Sequence, residues 1–420
     1  MTILRALRDL RSRGTVFVHS DAALAATVAQ RQQDNLAAGL NRRNPVHIPA
    51  KALVAPANGI HGAMRLRPID ALLELARGTA LRADREIAAF AGTWAALRYL
   101  GLILRDHATD RLQLHVDTMA RIGPNQRRVV SEELGVGFGI LVAKQWCLER
   151  NPGTSIVTAT DFDIAVHGGL VPQLTLADRQ PDYVLSYSTP ASAGANIYEF
   201  LETKGTASSP NAYTQLGRAV TQLAAPTIAG APVTGLAVST VSTTEEISAY
   251  AVDPPERPVV WRAVEEKLQR SRERPASPRT THTSINLDPD EFLSNVTNTE
   301  YASLARYAGL DSAAERWLPS LHTSRRPGPA PGEILSLDGQ TYRGSSQRFT
   351  LPNGQGQLRV FAGVDTNVAD ALRSADLDAA RQAQREYAEN RQEEASFDAN
   401  TPTNATATSS EGAVLRISLD

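Results

Sequence analysis

The chain has 420 residues, is 42% hydrophobic and carries a net charge of −2 at pH 7. That length suits two or three domains of roughly 150 residues each, and the balanced charge excludes a surface that is basic throughout, so any polyanion site must be local. Its one cysteine, Cys147, excludes internal disulfides and multi-cysteine zinc sites and fits a reducing cytosol, and no apolar run reaches the ~18 residues of a membrane span.

Residues 1–125 read as mostly helical. An amphipathic, arginine-rich first helix runs directly into a strand over Thr15–His19. Ser20-Asp21 then caps a helix to about Leu40. Residues 40–65 have loop punctuation, and helical periodicity returns at Ile69–Arg77 and Ala83–Leu104. His19, His47, His61, His107 and His115 lack metal-ligand spacing. This segment is expected to be a helical accessory domain.

Between 126 and 252 the element order is legible. Ser131–Leu148 predicts a helix with Val136, Ile140, Ala143 and Cys147 on its apolar stripe. Gly135, Gly137 and Gly139 cost helix propensity but permit close approach to a sheet. Thr154–Val166, Tyr183–Tyr187 and the stretch NIYEFLETKGTA from Asn196 to Ala207 read as strands, Ala212–Ala224 as a helix and Pro232–Val241 as a fourth strand.

Beyond Pro254 a basic helix over Val259–Arg272 is followed by a linker, and residues 288–318 suggest two short helices, so 253–332 reads as a helical and linker region. Residues 333–392 suggest hairpins around Asp338-Gly339 and Asn353-Gly354, then a helix over Asn367–Gln392. Residues 393–412 read as a polar, disordered tail and 413–420 as a terminal strand.

The chemistry concentrates at Glu202 and Lys204. A strand's period of two puts them on one side, at the end of an otherwise apolar segment. Only four of the 43 basic residues are lysines, so a lysine here suggests a compact point charge that arginine would not reproduce. A second E-x-K, Glu265-Glu266-Lys267, lies in a helical pattern where residues two apart do not face each other. Asp182, after Pro181, opens the preceding strand, and neighbouring strands lie ~4.8 Å apart. Asp182 and Glu202 could therefore share a hard divalent cation, Mg²⁺ or Mn²⁺. Asp161 and Asp163 are lower-ranked rivals for the aspartate role. A surface ion pair between Glu202 and Lys204, with Asp182 as a turn residue, is the bland alternative.

Pro181-Asp182, followed by Glu202-Thr203-Lys204, resembles the signature of the PD-(D/E)xK nuclease superfamily. The resemblance implies an α/β fold with a restriction-endonuclease-like α-β-β-β-α-β core over 126–252, flanked by the helical N-terminal region and a mixed α+β C-terminal region. It implies Mg²⁺-dependent phosphodiester hydrolysis, DNA being expected ahead of RNA, in restriction, repair or defence. Asp182 and Glu202 would be metal ligands and Lys204 the catalytic lysine. Glu132 or Glu133 would supply a further acid from the preceding helix; Glu132 is favoured because Val136, Gly139 and Ala143 mark its face as the one that meets the sheet. Gln215 resembles a glutamine of some branches, although Ala219 stands where the accompanying tyrosine would be. A cytoplasmic homo-oligomer without membrane contact is expected. The sequence has no G-x-x-x-x-G-K-[ST] loop, so any ATPase would be a protein partner. Two alternatives stay open: a non-catalytic nuclease-fold binding or assembly module, and a hydrolase using Asp182 and Glu202 as an acid/base pair.

Overall fold

The computed structural model describes residues 2–40, 54–81, 90–168, 180–189, 196–223, 226–229, 231–254, 285–321, 332–352, 356–391 and 402–420. Helix α1 (Ile3–Arg11), capped by the Thr2 hydroxyl, leads into β1 (Gly14–His19). Asp21 accepts from the Leu24 N–H at 2.8 Å and opens α2 (Ala22–Leu40). Next come β2 (Ala55–Pro56), β3 (Gly62–Leu66), α3 (Pro68–Thr79), α4 (Ala91–Tyr99), the hairpin β4 (Ile103–Arg105) with β5 (Leu112–Leu114), and α5 (Val116–Arg121). The long helix α6 (Pro124–Arg150) starts at a proline in its first turn, earlier than the Ser131 start expected from its glycine-interrupted pattern.

The strands β6 (Val157–Asp161), β7 (Tyr183–Ser188) and β8 (Asn196–Thr206) form an antiparallel meander. Helix α8 (Ser209–Leu223) then carries the chain to β11 (Gly235–Ser242), which lies parallel to β8. The expected α-β-β-β-α-β order is thus present, with two insertions, a short helix after β6 and two short strands between α8 and β11. The expected strand over Thr154–Val166 ends at Asp161, where α7 (Phe162–His167) begins. Asp161 accepts from the Ile164 N–H at 3.1 Å as the N-cap, and Gly168 closes the helix in the left-handed region. A local cap overrides the β-branched composition there.

The meander and β11 belong to a mixed eight-stranded sheet ordered β3-β1-β12-β11-β8-β7-β6, β12 being Ile247–Asp253, with β2 also paired to β12. Residues 1–125 therefore do not form a purely helical unit: β1, β2 and β3 extend the same sheet that carries Glu202 and Lys204. The physical reason is visible in β1, where Val16 and Val18 are fully buried on one side while Phe17 on the other is exposed. One face of the sheet packs against α3 and α6, the other against α2 and α8.

Two short strands, β9 (Pro226–Ile228) and β10 (Ala231–Pro232), pair with each other, and β9 also pairs with β13 (Ile285–Leu287). Helices α9 (Pro289–Tyr307) and α10 (Asp311–Trp317) match the two expected over 288–318, while the expected basic helix Val259–Arg272 lies outside the described residues. A second, five-stranded sheet is built from β14 (Glu333–Leu337), β15 (Gln340–Thr350), β16 (Gln357–Asp365), β17 (Asn404–Thr408) and β18 (Ala413–Leu419). The turn at Asp338-Gly339 has both residues at positive φ, 44° and 83°, as its Asp-Gly sequence predicts. The expected single helix over Asn367–Gln392 is two, α11 (Thr366–Ser374) and α12 (Leu377–Asn390). Ala375 turns into the left-handed region and Asp376 recaps the chain. The stretch 393–412, expected to be disordered, contains the buried strand β17. Its small residues Ala405 and Ala407 are wholly enclosed by pairing with β18. The terminal strand is where the sequence puts it.

Candidate active site

Asp182 sits one residue before β7, where its N–H donates to the Leu201 carbonyl at 3.1 Å. Because Tyr183 is in register with Leu201, Asp182 falls opposite Glu202. Thr203 donates to one oxygen of Asp182 twice, from its backbone N–H at 2.9 Å and from its hydroxyl at 3.1 Å. That same oxygen is 4.0 Å from the Lys204 ammonium, which also makes a close ion pair with Glu202. The structure therefore brings Asp182, Glu202 and Lys204 together, as the strand reading required.

Burial sets their electrostatics. Glu202 is 0% exposed, and the Lys204 ammonium is paired with one of its carboxylate oxygens. Burial, then the neighbouring Asp182, pushes its carboxyl well above the usual range against the pull of Lys204. Burial also works against the Lys204 charge, but Asp182 and Glu202 outweigh it and hold the ammonium above its ordinary value. The side chains of Asp182 and Lys204 are 34% and 27% exposed, so the cluster opens to solvent at these two residues.

The glycines fix this geometry. A Cβ on Gly205 would collide with the backbone of Ser131, and one on Gly135 would stand 2.7 Å from the Gly205 Cα, so α6 lies directly on the β8 backbone beside Lys204. Gly139 meets the Thr203 side chain, whereas Gly137 faces α3.

The two helix acids separate. Glu132, mostly exposed and paired with Arg128 at 3.4 Å, contributes to the field on Lys204. Glu133 turns the other way, to the Tyr99 hydroxyl and to Arg98 at 3.2 Å. Gln215 is a bracket: its amide nitrogen donates to the Gly205 carbonyl at 3.3 Å and its oxygen accepts from Ser239 at 3.0 Å, tying α8 to β8 and β11. Asp161, the rival aspartate, is engaged as the α7 cap. Thr203 is the member of this contact set that residue type alone does not mark. Half of its role is a backbone N–H, which no residue type advertises.

Among the described residues no three His, Cys, Asp or Glu side chains gather as a metal cluster, so Glu132 does not complete a three-acid set. Two carboxylates on adjacent strands nevertheless fit Mg²⁺, which is commonly held by one or two carboxylates with water filling the remaining positions. The Glu202 oxygen that Lys204 does not take has no hydrogen-bond partner, and such an ion would satisfy it.

Fold and cluster together define a mixed α/β protein with a two-carboxylate, one-lysine centre at the end of a central strand. Compared with known proteins, the chain matches no family model, no curated protein and no solved structure. Among the described residues no helix is long and apolar enough to cross a membrane.

Proposed function

We propose that this chain is a metal-dependent nuclease that hydrolyses phosphodiester bonds, in DNA ahead of RNA, and that Asp182, Glu202 and Lys204 carry the reaction. The observation behind this reading is the fully buried Glu202 carboxylate, paired with the chain's rare lysine and set beside Asp182. The attraction within a buried ion pair often fails to repay its desolvation, so a site that keeps one has a use for it.

Asp182 and Glu202 would hold the Mg²⁺ ion, Glu202 from the buried side and Asp182 from the solvent side. When bound, such an ion supplies polarisation of a phosphoryl oxygen and a lowered pKa for coordinated water. Thr203 holds the Asp182 carboxylate in place through one of its oxygens. Lys204, held cationic by both acids, stabilises negative charge as it gathers on the phosphate. Glu132, at the rim, adds to the negative field that keeps Lys204 charged, and Gln215 ties the strand end to α8.

Purified protein incubated with plasmid and with single-stranded DNA, with and without Mg²⁺, tests the proposal. Cleavage should need the metal and be lost in Asp182→Ala and Lys204→Ala, and undiminished cutting by both variants would refute the assignment. The second reading, a non-catalytic binding or assembly module, is favoured by the closed Lys204–Glu202 ion pair and the missing third acid. It predicts binding with no turnover, so robust EDTA-sensitive degradation eliminates it.

A further inference from the structure

At the end of β8 remote from Glu202, a cavity opens where the central sheet meets two helices. Thr158 from β6, Ser186 and Ser188 from β7 and Asn196 from β8 line it from the sheet. Glu300 from α9 and Arg381 and Arg385 from α12 line it from the helices. It offers about 100 Å³, room for several waters. A molecule with a similar number of non-hydrogen atoms, the size of a free amino acid, fits that space.

The charges on its walls do not neutralise one another. Glu300, partly buried, accepts from the hydroxyls of Thr158 at 3.0 Å and Ser186 at 3.1 Å, both on Oε2. Among the described residues its Oε1 accepts no hydrogen bond, and no basic side chain forms an ion pair with it. Burial raises this carboxyl above its usual range, against the pull of the two hydroxyls. On α12, Arg381 and Arg385 stand four residues apart and therefore on one face. Arg381 reaches the Tyr301 hydroxyl and Arg385 donates to Gln382 at 3.2 Å, and among the described residues neither pairs with a carboxylate. A structural ion pair would close the carboxylate on a guanidinium. Here the two signs stay unpaired around one space, although the charges of Glu300 and Arg381 are both felt at the Tyr198 and Tyr301 hydroxyls.

We propose that this cavity binds a small zwitterion, a free amino acid, with its ammonium on Glu300 and its carboxylate on Arg381 and Arg385. The ammonium supplies the donors that Oε1 lacks, in a charge-assisted bond stronger than a neutral one. The planar guanidinium fork matches a carboxylate in geometry. An amine alone leaves the arginines without an anion, and a carboxylic acid alone leaves Glu300 without a cation, so the site asks for both groups on one molecule. Because the lining comes from β6, β7, β8, α9 and α12, the bound amino acid ties the sheet of the candidate centre to the C-terminal helices. The proposal does not depend on the nuclease reading.

Thermal unfolding of the full chain with each proteinogenic amino acid in turn tests this, because a ligand bound only by the folded chain raises Tm. At least one amino acid should raise Tm, and titration calorimetry should give its Kd. The amine left by removing its carboxylate and the acid left by removing its amino group should each have much less effect at equal concentration. Glu300→Gln keeps an acceptor for the two hydroxyls but loses the charge, and should weaken binding roughly tenfold or more. Arg381→Met, at a partly exposed position, should do the same and replaces the first variant if that one fails to fold. A Tm unmoved by every amino acid, an amine that binds as tightly as the zwitterion, or unchanged affinity in a folded variant overturns the proposal.

Discussion

Asp253 shows how a single half-buried residue couples this fold to pH. Burial, opposed by Arg150 and reinforced by Glu199, pushes its carboxyl up to about 7. Between about 4 and about 7 the folded chain keeps a proton that the unfolded chain has already released. The contribution of Asp253 to stability therefore falls as pH rises through that window and stays low above it. Asp253→Asn, neutral throughout, should gain on the parent as pH rises from 4 to 8 in urea unfolding, and a gap independent of pH would contradict the assignment. At the same scale, Glu202, Lys204 and Asp182 were readable because residue type and strand period speak for themselves. Thr203 and Gln215 act through backbone groups, an N–H and the Gly205 carbonyl, that composition leaves silent.

At the level of elements, the contact of α6 with β8 determines where the lysine stands. Gly205→Ala would drive a methyl into the Ser131 backbone, which cannot yield without displacing the helix. Overpacking of this kind costs about 1–3 kcal/mol or more, so a lower Tm together with weakened cleavage is expected. A variant with parental Tm and parental activity would show that the close approach is dispensable. The glycines of α6 announced such an approach in the sequence, and the strand pattern announced the meander. The end of β6 was illegible because one side chain decides it: Asp161 caps a helix in a segment whose composition favours strand. Likewise β17 is made of Asn, Ala and Thr, which look like a polar tail until β18 pairs with them.

Across the whole molecule, a buried ionic knot joins parts far apart in sequence. Glu411, completely enclosed, takes Arg77 at 2.7 Å and Lys144 at 2.8 Å, and Lys144 also takes Glu74 at 2.7 Å. Against its burial, Arg77 and Lys144 hold the Glu411 carboxyl far below the usual range. Its stabilising contribution is thus present above the unfolded value near 4.3 and lost as pH falls through the lower folded one. Glu411→Gln would leave two buried cations short of a partner and should cost about 3–5 kcal/mol near neutral pH, measurable by denaturant unfolding; a loss well under that would mean the cations find other partners. No sequence spacing reveals such a knot, because its members are brought together by the fold alone.

Whether the buried acid of β8 works on phosphodiesters decides what this centre does. Glu202→Gln keeps the shape of the side chain while removing its charge, so the fold should survive, as circular dichroism can verify. Mg²⁺-dependent cleavage of single-stranded DNA by this variant, measured against the parent, should fall to background. Cleavage at the parental rate by a folded Glu202→Gln protein would contradict the assignment.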